Sequence, residues 1–306
     1  MTQSVTTIFQ RGCLVAASFL VLTAARADDP EFGLEARIGY LSDSNVNVAE
    51  LNENTGASDT AVDLDFGIDG KLPLGERVSA NFGYDYSGTQ YSEFTEFNLA
   101  LHQLRGGLNL KAAGFDAGLL AERYVAKLDG DDFLEISQVT PSLGRLFGDR
   151  LYLRGAWTAA EKTYAENELR DASNRSLRAD AYVLLDGMNR FISLGYVSSS
   201  ENALDETLDY DGDRLLLGFG QRFGEGERSL MLRLRAQFEI RDYAGFDESI
   251  EDTRSDERFR AEATATWGLT EHLSIEGKAA YADNQSNLET ATYSETVLGL
   301  SIGVSF

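Results

Sequence analysis

The chain is poor in cysteine, proline, histidine and positive charge, and these shortages exclude several classes of protein. Its 306 residues include one cysteine, three prolines and two histidines. A single cysteine can form neither an internal disulfide nor a thiolate metal site. The 27 Lys and Arg against 50 Asp and Glu give a net charge of −23. This acidity argues against a nucleic-acid partner and against docking on an anionic membrane surface, because both are bound through basic faces.

A long apolar run is also missing beyond the N-terminus. Arg11 precedes a short apolar stretch from Leu14 to Ala25, and Ala25-Arg26-Ala27 fits a small-x-small cleavage site. This pattern predicts a secretory signal peptide over residues 1–27 and is too short for a membrane-spanning helix. Cleavage near Ala27 would leave a single domain, 28–306.

Removal of the signal would accentuate both shortages. Cys13 lies inside the signal, after Gln10-Arg11-Gly12 rather than after an apolar run, so we do not expect it to carry a lipid. The mature chain would have no cysteine. Two of the basic residues would leave with the signal and all the acidic ones would stay, which gives a net charge of −25.

The last residues alternate strictly between large apolar and very small side chains. One face carries Leu298, Leu300, Ile302, Val304 and Phe306, and the other carries only Gly and Ser. This alternation indicates a strand with one face in an apolar medium and one in a confined, wetter space. It is typical of the terminal strand of Gram-negative outer-membrane barrels, and we expect the barrel assembly machinery to recognise it through Phe306. The last strand of a soluble sandwich would alternate in the same way.

The alternation recurs along the whole mature chain. It starts at Phe32–Tyr40, continues after a polar loop at Leu41–Thr60, and gives about fourteen strands with six short turns and seven longer polar loops, one of them at Asp129–Asp132. An even count of strands of about ten residues, with short turns alternating with long loops, favours an all-β, antiparallel, up-and-down transmembrane barrel. A change of phase near His102 predicts a β-bulge. Pro141 weakens the strand that contains it.

Charged residues on these strands are the candidates for lining a lumen. Between Ser229 and Arg241 the apolar and charged positions alternate, and an Arg that faces lipid at mid-depth costs about 2–4 kcal/mol. The charged face must therefore point inward, as must the three aspartates of an earlier strand. The lumen-lining candidates are Asp63, Asp65, Asp69, Arg233, Arg235, Gln237, Glu239 and Arg241. Either they form opposed charge ladders across an open lumen, or they pair with neighbours and plug it.

The sequence offers little for catalysis or metal binding. His102 lies in mid-strand and His272 at a short turn, so the two histidines are expected at different levels, and we predict that the protein is not an enzyme. Two acidic loops, Asp129–Asp132 and Asp209–Asp213, carry carboxylates that would suit Ca²⁺. Their spacing does not match a helix-flanked calcium loop. Solvated loops facing lipid headgroups explain them equally well, and we predict no metal or cofactor.

Five short stretches of the chain have a distinctive composition: Tyr40-Leu-Ser-Asp-Ser-Asn-Val46, Phe97-Asn-Leu-Ala-Leu-His-Gln-Leu104, Asp131-Asp-Phe-Leu-Glu-Ile136, Asp149-Arg-Leu-Tyr-Leu153 and Asp283-Asn-Gln-Ser-Asn287. Together they resemble the barrel portion of the surface lipoprotein assembly modifier (Slam) family. The resemblance implies a barrel that passes proteins or lipoproteins to the cell surface. Members of the family normally carry a helical tetratricopeptide-repeat domain before the barrel, and no such repeat is expected here.

Taken together, these patterns predict a monomeric outer-membrane barrel that acts as a transport pore. The expected surroundings are outer-membrane lipid and lipopolysaccharide, and the expected cargo is an exported protein or a small polar solute. Two functions other than Slam-like export stay open: a passive porin-like channel, and a structural or surface-recognition barrel with a blocked lumen.

Overall fold

The computed structural model describes residues 30–306, so the predicted signal peptide lies outside the described range. Sixteen strands and six short 3₁₀ turns make up this part of the chain, and no helix in it has the length and apolarity needed to cross a membrane. The strands are β1 (Glu31–Asp43), β2 (Asn47–Val48), β3 (Glu53–Asn54), β4 (Asp59–Pro73), β5 (Val78–Tyr91), β6 (Leu99–Ala112), β7 (Phe115–Leu128), β8 (Asp131–Phe147), β9 (Leu151–Tyr164), β10 (Ala172–Asp186), β11 (Arg190–Ala203), β12 (Tyr210–Phe223), β13 (Leu230–Asp247), β14 (Asp252–Gly268), β15 (Leu273–Ser286) and β16 (Tyr293–Ser305). The 3₁₀ turns are Ala49–Leu51, Thr95–Phe97, Glu168–Arg170, Glu206–Leu208, Gly226–Arg228 and Glu289–Ala291.

Fourteen of the strands close into one antiparallel barrel, and β2 and β3 form a small separate ribbon. The barrel closes where β1 pairs with β16, in a register that runs from Glu35↔Ser305 to Asp43↔Val297. At the end of this seam the backbones of Leu34 and Phe306 exchange hydrogen bonds of 3.0 and 2.9 Å. Closure leaves no barrel strand with an unpaired edge. The predicted fold and strand number are confirmed.

Side chains alternate between the two faces of the wall as the sequence predicted. On β16 and β1 the outward positions hold Leu298, Leu300, Ile302, Phe32 and Ile38, all of them exposed. Exposed apolar side chains continue around the outside on the other strands, where a soluble protein would bury them. Such a continuous apolar band is the surface that a transmembrane barrel presents to lipid.

The strands are longer than predicted, with 13 to 18 residues in the barrel rather than about ten. On β14 the outward positions from Thr253 to Glu257 are polar, and apolar residues occupy them only from Phe259 to Trp267. The apolar alternation therefore marks only the part of each strand that lies in lipid. Backbone pairing continues beyond it, because neighbouring extended segments go on satisfying each other's N–H and C=O groups.

The loops at the two ends of the barrel differ less than predicted. The end that holds both chain termini and the six short turns is called the inner end here, and the opposite end the outer end. Apart from residues 44–58, called the first loop here, no outer connection exceeds seven residues. The predicted long loop at Asp129–Asp132 is wrong. Asp129 and Gly130 form a two-residue turn with φ of 51° and 87°, values that Asp-Gly adopts readily in a type I′ hairpin.

Two other local predictions also need correction. No register shift occurs on β6 from Leu99 to Ala112, so the predicted bulge near His102 is wrong. Pro141 sits within β8 without ending it, since the register with β9 is the same on both sides of the proline.

The seam offers a direct test of closure. A Cβ built on Gly299 lies 3.8 Å from the Cβ of Leu41, which is the mean separation across a disulfide. In a Cys13→Ser background, we expect the pair Leu41→Cys and Gly299→Cys to oxidise spontaneously, so that a thiol-reactive polyethylene glycol adds no mass without reductant. The diagonal pair Leu41→Cys and Ser301→Cys is the matched control and should keep both thiols. Two free thiols in the first variant would contradict the closed seam.

Candidate functional site

The barrel interior is the candidate site, and the first loop is its principal occupant. This loop leaves β1 and folds inward rather than away from the barrel. Val46 is fully buried in a cluster with Leu41, Ala61 and Tyr91, all of which point into the interior. Tyr91 also donates a 2.8 Å hydrogen bond to the Asp43 carboxylate at the base of the loop. The loop is therefore packed against the inner surface of the wall from which it starts.

The tip of the loop reaches the far wall. The carbonyl oxygen of Glu50 accepts a 2.7 Å hydrogen bond from Nη1 of Arg170, which lies just before β10. In the closed strand order β10 is seven strands from β1, the greatest separation that a fourteen-strand ring allows. Asn52 accepts a 3.2 Å hydrogen bond from Nη2 of Arg254 on β14, and Asn54 donates to the Thr290 carbonyl. The first loop thus spans the outer half of the interior.

Buried ion pairs surround the loop. Lys162 Nζ lies 2.5 Å from the Glu201 carboxylate, and both side chains are at most 1% exposed. Glu239 lies between Arg214 and Arg241 at 2.9 Å from each. On the next strand Asp256 is held between Arg254 and Arg258 at 2.8 and 2.5 Å. Removing such charges from water costs several kcal/mol per ion, and the cost is offset only when each charge is well paired.

Glu50 is the exception among these charges. It lies at the tip of the first loop, its side chain is buried, and its Oε1 has no hydrogen-bond partner. The charged and titratable groups around it come from β9, β14 and the loop before β10 and are Lys162, Tyr164, Arg170, Arg258 and Arg260. Burial outweighs these cations and raises the pKa of Glu50 to about 7. The seated loop therefore holds a proton that an exposed glutamate would release near pH 4.5.

Apolar side chains fill another sector of the outer interior, which sequence reasoning missed. The cluster is centred on Leu101, Tyr124, Ile136 and Tyr164 on β6 to β9. These residues are at most 6% exposed, although they lie on the face that points away from lipid. The signal was visible in the sequence: the change of phase on β6 records Leu99 and Leu101 turning their apolar side chains inward, and it was misread as a bulge.

The predicted lumen candidates occupy the inward positions of β4 and β13. Asp63 accepts a 2.6 Å hydrogen bond from Thr89. Asp65 lies directly opposite Arg37 of β1 in the strand register. Asp69 forms an ion pair with Arg105. The Thr89 and Arg37 positions lie on the strands next to β4, and Arg105 lies one strand further, on β6.

The five candidates on β13 divide by depth. Arg235 lies 3.8 Å from Glu262 and remains exposed, and Arg233 lies near it toward the inner end. Gln237, Glu239 and Arg241 are buried in the outer half. The structure therefore places the three aspartates of β4 and the five candidates of β13 on different walls, and Glu239 and Arg241 form an ion pair within β13. Most of the candidates contact residues on the same or nearby strands.

The two walls carry opposite charge. On β1 and β4 to β7 the inward positions hold ten acidic and four basic side chains, whereas on β9 to β15 they hold eight acidic and twelve basic ones. The acidic residues of the first wall are Glu31, Glu35, Asp43, Asp59, Asp63, Asp65, Asp69, Asp85, Asp116 and Glu122. The basic residues of the second wall are Arg154, Lys162, Arg178, Arg214, Arg222, Arg233, Arg235, Arg241, Arg254, Arg258, Arg260 and Lys278. The lumen therefore has a transverse electrostatic polarity.

The histidines and acidic loops form no reactive centre in the described part of the chain. His102 points outward, with its Nδ1 2.9 Å from the Tyr84 hydroxyl, and His272 at the inner end has its Nδ1 2.8 Å from the Ser305 carbonyl. Within residues 30–306 no group of three or more His, Cys, Asp or Glu is placed to hold a metal ion.

The fold and the interior together define an outer-membrane β-barrel of the transport-pore class. The model of the family described as surface lipoprotein assembly modifier matches residues 33–306. The chain belongs to this family, as its short motifs suggested, and its place is the outer membrane. A comparison with curated protein sequences gives no match.

Solved barrels share the fold at low sequence identity. The anion-selective porin from Comamonas acidovorans has a TM-score of 0.53 and 11% identity, over 91% of this chain and 99% of the porin. A loop-deletion form of OmpT, an outer membrane protein of Vibrio cholerae, has a TM-score of 0.53 and 9% identity, over 91% of this chain and all of OmpT. These similarities concern the fold alone.

The Lys162–Glu201 pair gives a test of the buried network. Lys162→Met leaves Glu201 buried without its cation, so we expect the free energy of unfolding to fall by about 3–5 kcal/mol. Adding Glu201→Met should recover a large part of this loss. Lys71→Met, which breaks an exposed 3.1 Å pair with Glu31, is the control and should cost under about 1 kcal/mol. Urea unfolding in lipid vesicles, followed by tryptophan fluorescence, measures all three. Equal losses of unfolding free energy in Lys162→Met and Lys71→Met would contradict the structural role of the buried Lys162–Glu201 pair.

Glu50 predicts a pH dependence of the seated loop. Because the seated carboxyl has its pKa near 7 and a released one near 4.5, the seated state binds more protons. Seating is therefore favoured at low pH and loses up to roughly 3 kcal/mol as pH rises from 4.5 through 7. Spin labels at Glu53→Cys and Leu169→Cys, in a Cys13→Ser background, should give a narrow distance distribution at pH 5.5 and a broader one at pH 8.5. With Glu50→Gln added, it should be narrow at both. A distribution that is unchanged by pH while Glu50 is present would contradict the assignment.

Proposed function

We propose that the barrel exports a protein or lipoprotein to the cell surface and that the first loop closes the route at rest. Membership of the surface lipoprotein assembly modifier family supports this cargo class. The observation that carries the proposal is the first loop, seated between β1 and Arg170 across the outer half of the interior. A pore for passive diffusion gains nothing from such a seal, whereas a route for large cargo must stay closed between transport events.

The polarised walls suit an extended polypeptide. A chain in the lumen would meet acidic groups on one side and basic groups on the other, and the field between them would orient its peptide dipoles and charges. The inner half supports entry, since Arg235 and Asp69 remain exposed there and Glu35 is half-buried. We infer that cargo enters from the periplasm and displaces the first loop. We also infer that the protein is not an enzyme, because its two histidines lie far from this route.

Two alternatives have support. The polarised lumen favours a passive channel for small polar solutes, and the buried ion pairs favour a structural or surface-recognition barrel with a blocked lumen. The signal peptide at 1–27 and recognition of Phe306 by the barrel assembly machinery stay predictions. Lipid and lipopolysaccharide surround the barrel in any of these roles.

Export is tested in cells. Deleting the gene should remove at least one protein from the surface of intact cells, as read by surface labelling and mass spectrometry. Expression of the full chain should restore that protein. An unchanged set of surface proteins would contradict the export proposal. The products of neighbouring genes would be the first candidates for the cargo.

The seal is tested in planar bilayers. In one variant, a shorter Gly-Ser linker replaces Asn47–Asn54 and cannot reach Arg170 and Arg254. This change should convert a barrel of low conductance into one that carries a steady current. Replacing residues 248–250 in the outer loop between β13 and β14 is the control and should leave the current low. Equal, steady currents from the intact and shortened proteins would instead favour the passive channel.

A further inference from the structure

The outward face of β8 to β11 contains a groove that the transport role does not use. Its floor is made by the small residues Gly155, Ala179 and Ala181, which are cross-strand neighbours on β9 and β10. Its sides are made by Leu143 and Leu153 on one flank and by Leu194 and Tyr196 on the other. The depression is open on its lipid side and has a volume of about 520 Å³, within the range of roughly 300–1,000 Å³ in which proteins hold small ligands.

An outward-facing arginine closes the inner end of this groove. Arg145 occupies an outward position two residues before the end of β8, directly across from Phe115 on β7. Its guanidinium carbon lies 4.8 Å from the centre of the Phe115 ring and 5.2 Å from that of Phe147. The two rings fix the guanidinium plane and leave its N–H edge available for hydrogen bonds. Within residues 30–306 no carboxylate lies within ion-pair distance of Arg145.

The chemistry of this arrangement selects its occupant. A planar guanidinium binds phosphate oxygens through two parallel hydrogen bonds, and the groove that leads away from it is apolar. A molecule with a phosphate at one end and a hydrocarbon chain at the other matches both parts. Arg145 lies at the inner end, near the turn 148–150, so its level is that of the lipid headgroups on the periplasmic side. There an outward arginine costs little, because its charge reaches the interface.

We propose that this groove is a binding site for one glycerophospholipid of the inner leaflet. Its phosphate binds Arg145 between Phe115 and Phe147, and one acyl chain lies along Gly155, Ala179 and Ala181. The lipid anchor of a lipoprotein would also fit the apolar part, but it carries no phosphate. The two ligands are therefore distinguished by their dependence on the guanidinium.

Native mass spectrometry of the full chain, released from detergent with added phosphatidylglycerol, tests the site. We expect one retained lipid per protein. Arg145→Gln should reduce the bound fraction about fivefold, the factor that one basic residue near an anionic surface typically contributes. Arg190→Gln removes an outward cation at the same end but away from the groove and should leave retention unchanged. Equal losses in the two variants, or none in Arg145→Gln, would overturn the site.

A second variant tests the acyl part and avoids the question of folding. A Cβ added at Gly155 meets no atom within 4 Å, so Gly155→Leu should fold and fill the floor of the groove. It should lower lipid retention while Arg145 stays intact, with the barrel's heat-modified mobility in gels unchanged. The phosphate assignment would be overturned if the protein retained a phosphate-free diacylglycerol as strongly as phosphatidylglycerol. It would also be overturned if added inorganic phosphate displaced no lipid.

Discussion

The structure depends on one constraint: a backbone that crosses lipid must satisfy all its N–H and C=O groups within the protein. Sheets meet this constraint only by closing, and here closure is made by the first and last barrel strands. From Leu298 onward the side chains of β16 are large outside and very small inside. Its Gly and Ser residues leave room on the inward face of the seam for the larger side chains of β1, such as Arg37, which lies beside Gly303. The same alternation that solves the backbone problem therefore also decides what space remains inside.

That interior is not an empty tube. Its inner half includes exposed charges such as Asp69 and Arg235, whereas its outer half holds a loop, an apolar cluster and buried ion pairs. Apart from Glu50, the buried charges pair within one strand, as Glu239 does with Arg241, or with a strand one or two places away, as Lys162 does with Glu201. A strand spacing of about 4.8 Å keeps such inward side chains within ion-pair range. The first loop adds polar contacts that no adjacent-strand pairing could supply, since its tip reaches residues half a circumference away.

The sequence predicted the parts of this structure that are periodic. Alternation along β13 placed Arg233, Arg235 and Arg241 inward, and the whole-chain pattern predicted the number of strands. It did not predict what depends on distant partners. Asn52 and Glu50 appear in a polar stretch that is typical of an exposed loop, and only the positions of Arg254 and Arg170 show that the stretch is buried. The sequence did not predict the strand ends, because backbone pairing continues beyond the part of each strand that has apolar outward residues. It did not predict the inward position of Leu101, because an inward apolar residue breaks the expected alternation.

The attachment of the first loop to β1 has a consequence for assembly. The seam joins segments more than 250 residues apart in sequence, and contacts of such long range form late, because the chain must first lose the entropy of a very large loop. The segment that fills the outer half of the lumen is tied to the strand that completes the ring. The lumen of a partly folded barrel would therefore be open. The first loop would close it in the same late step in which β1 pairs with β16.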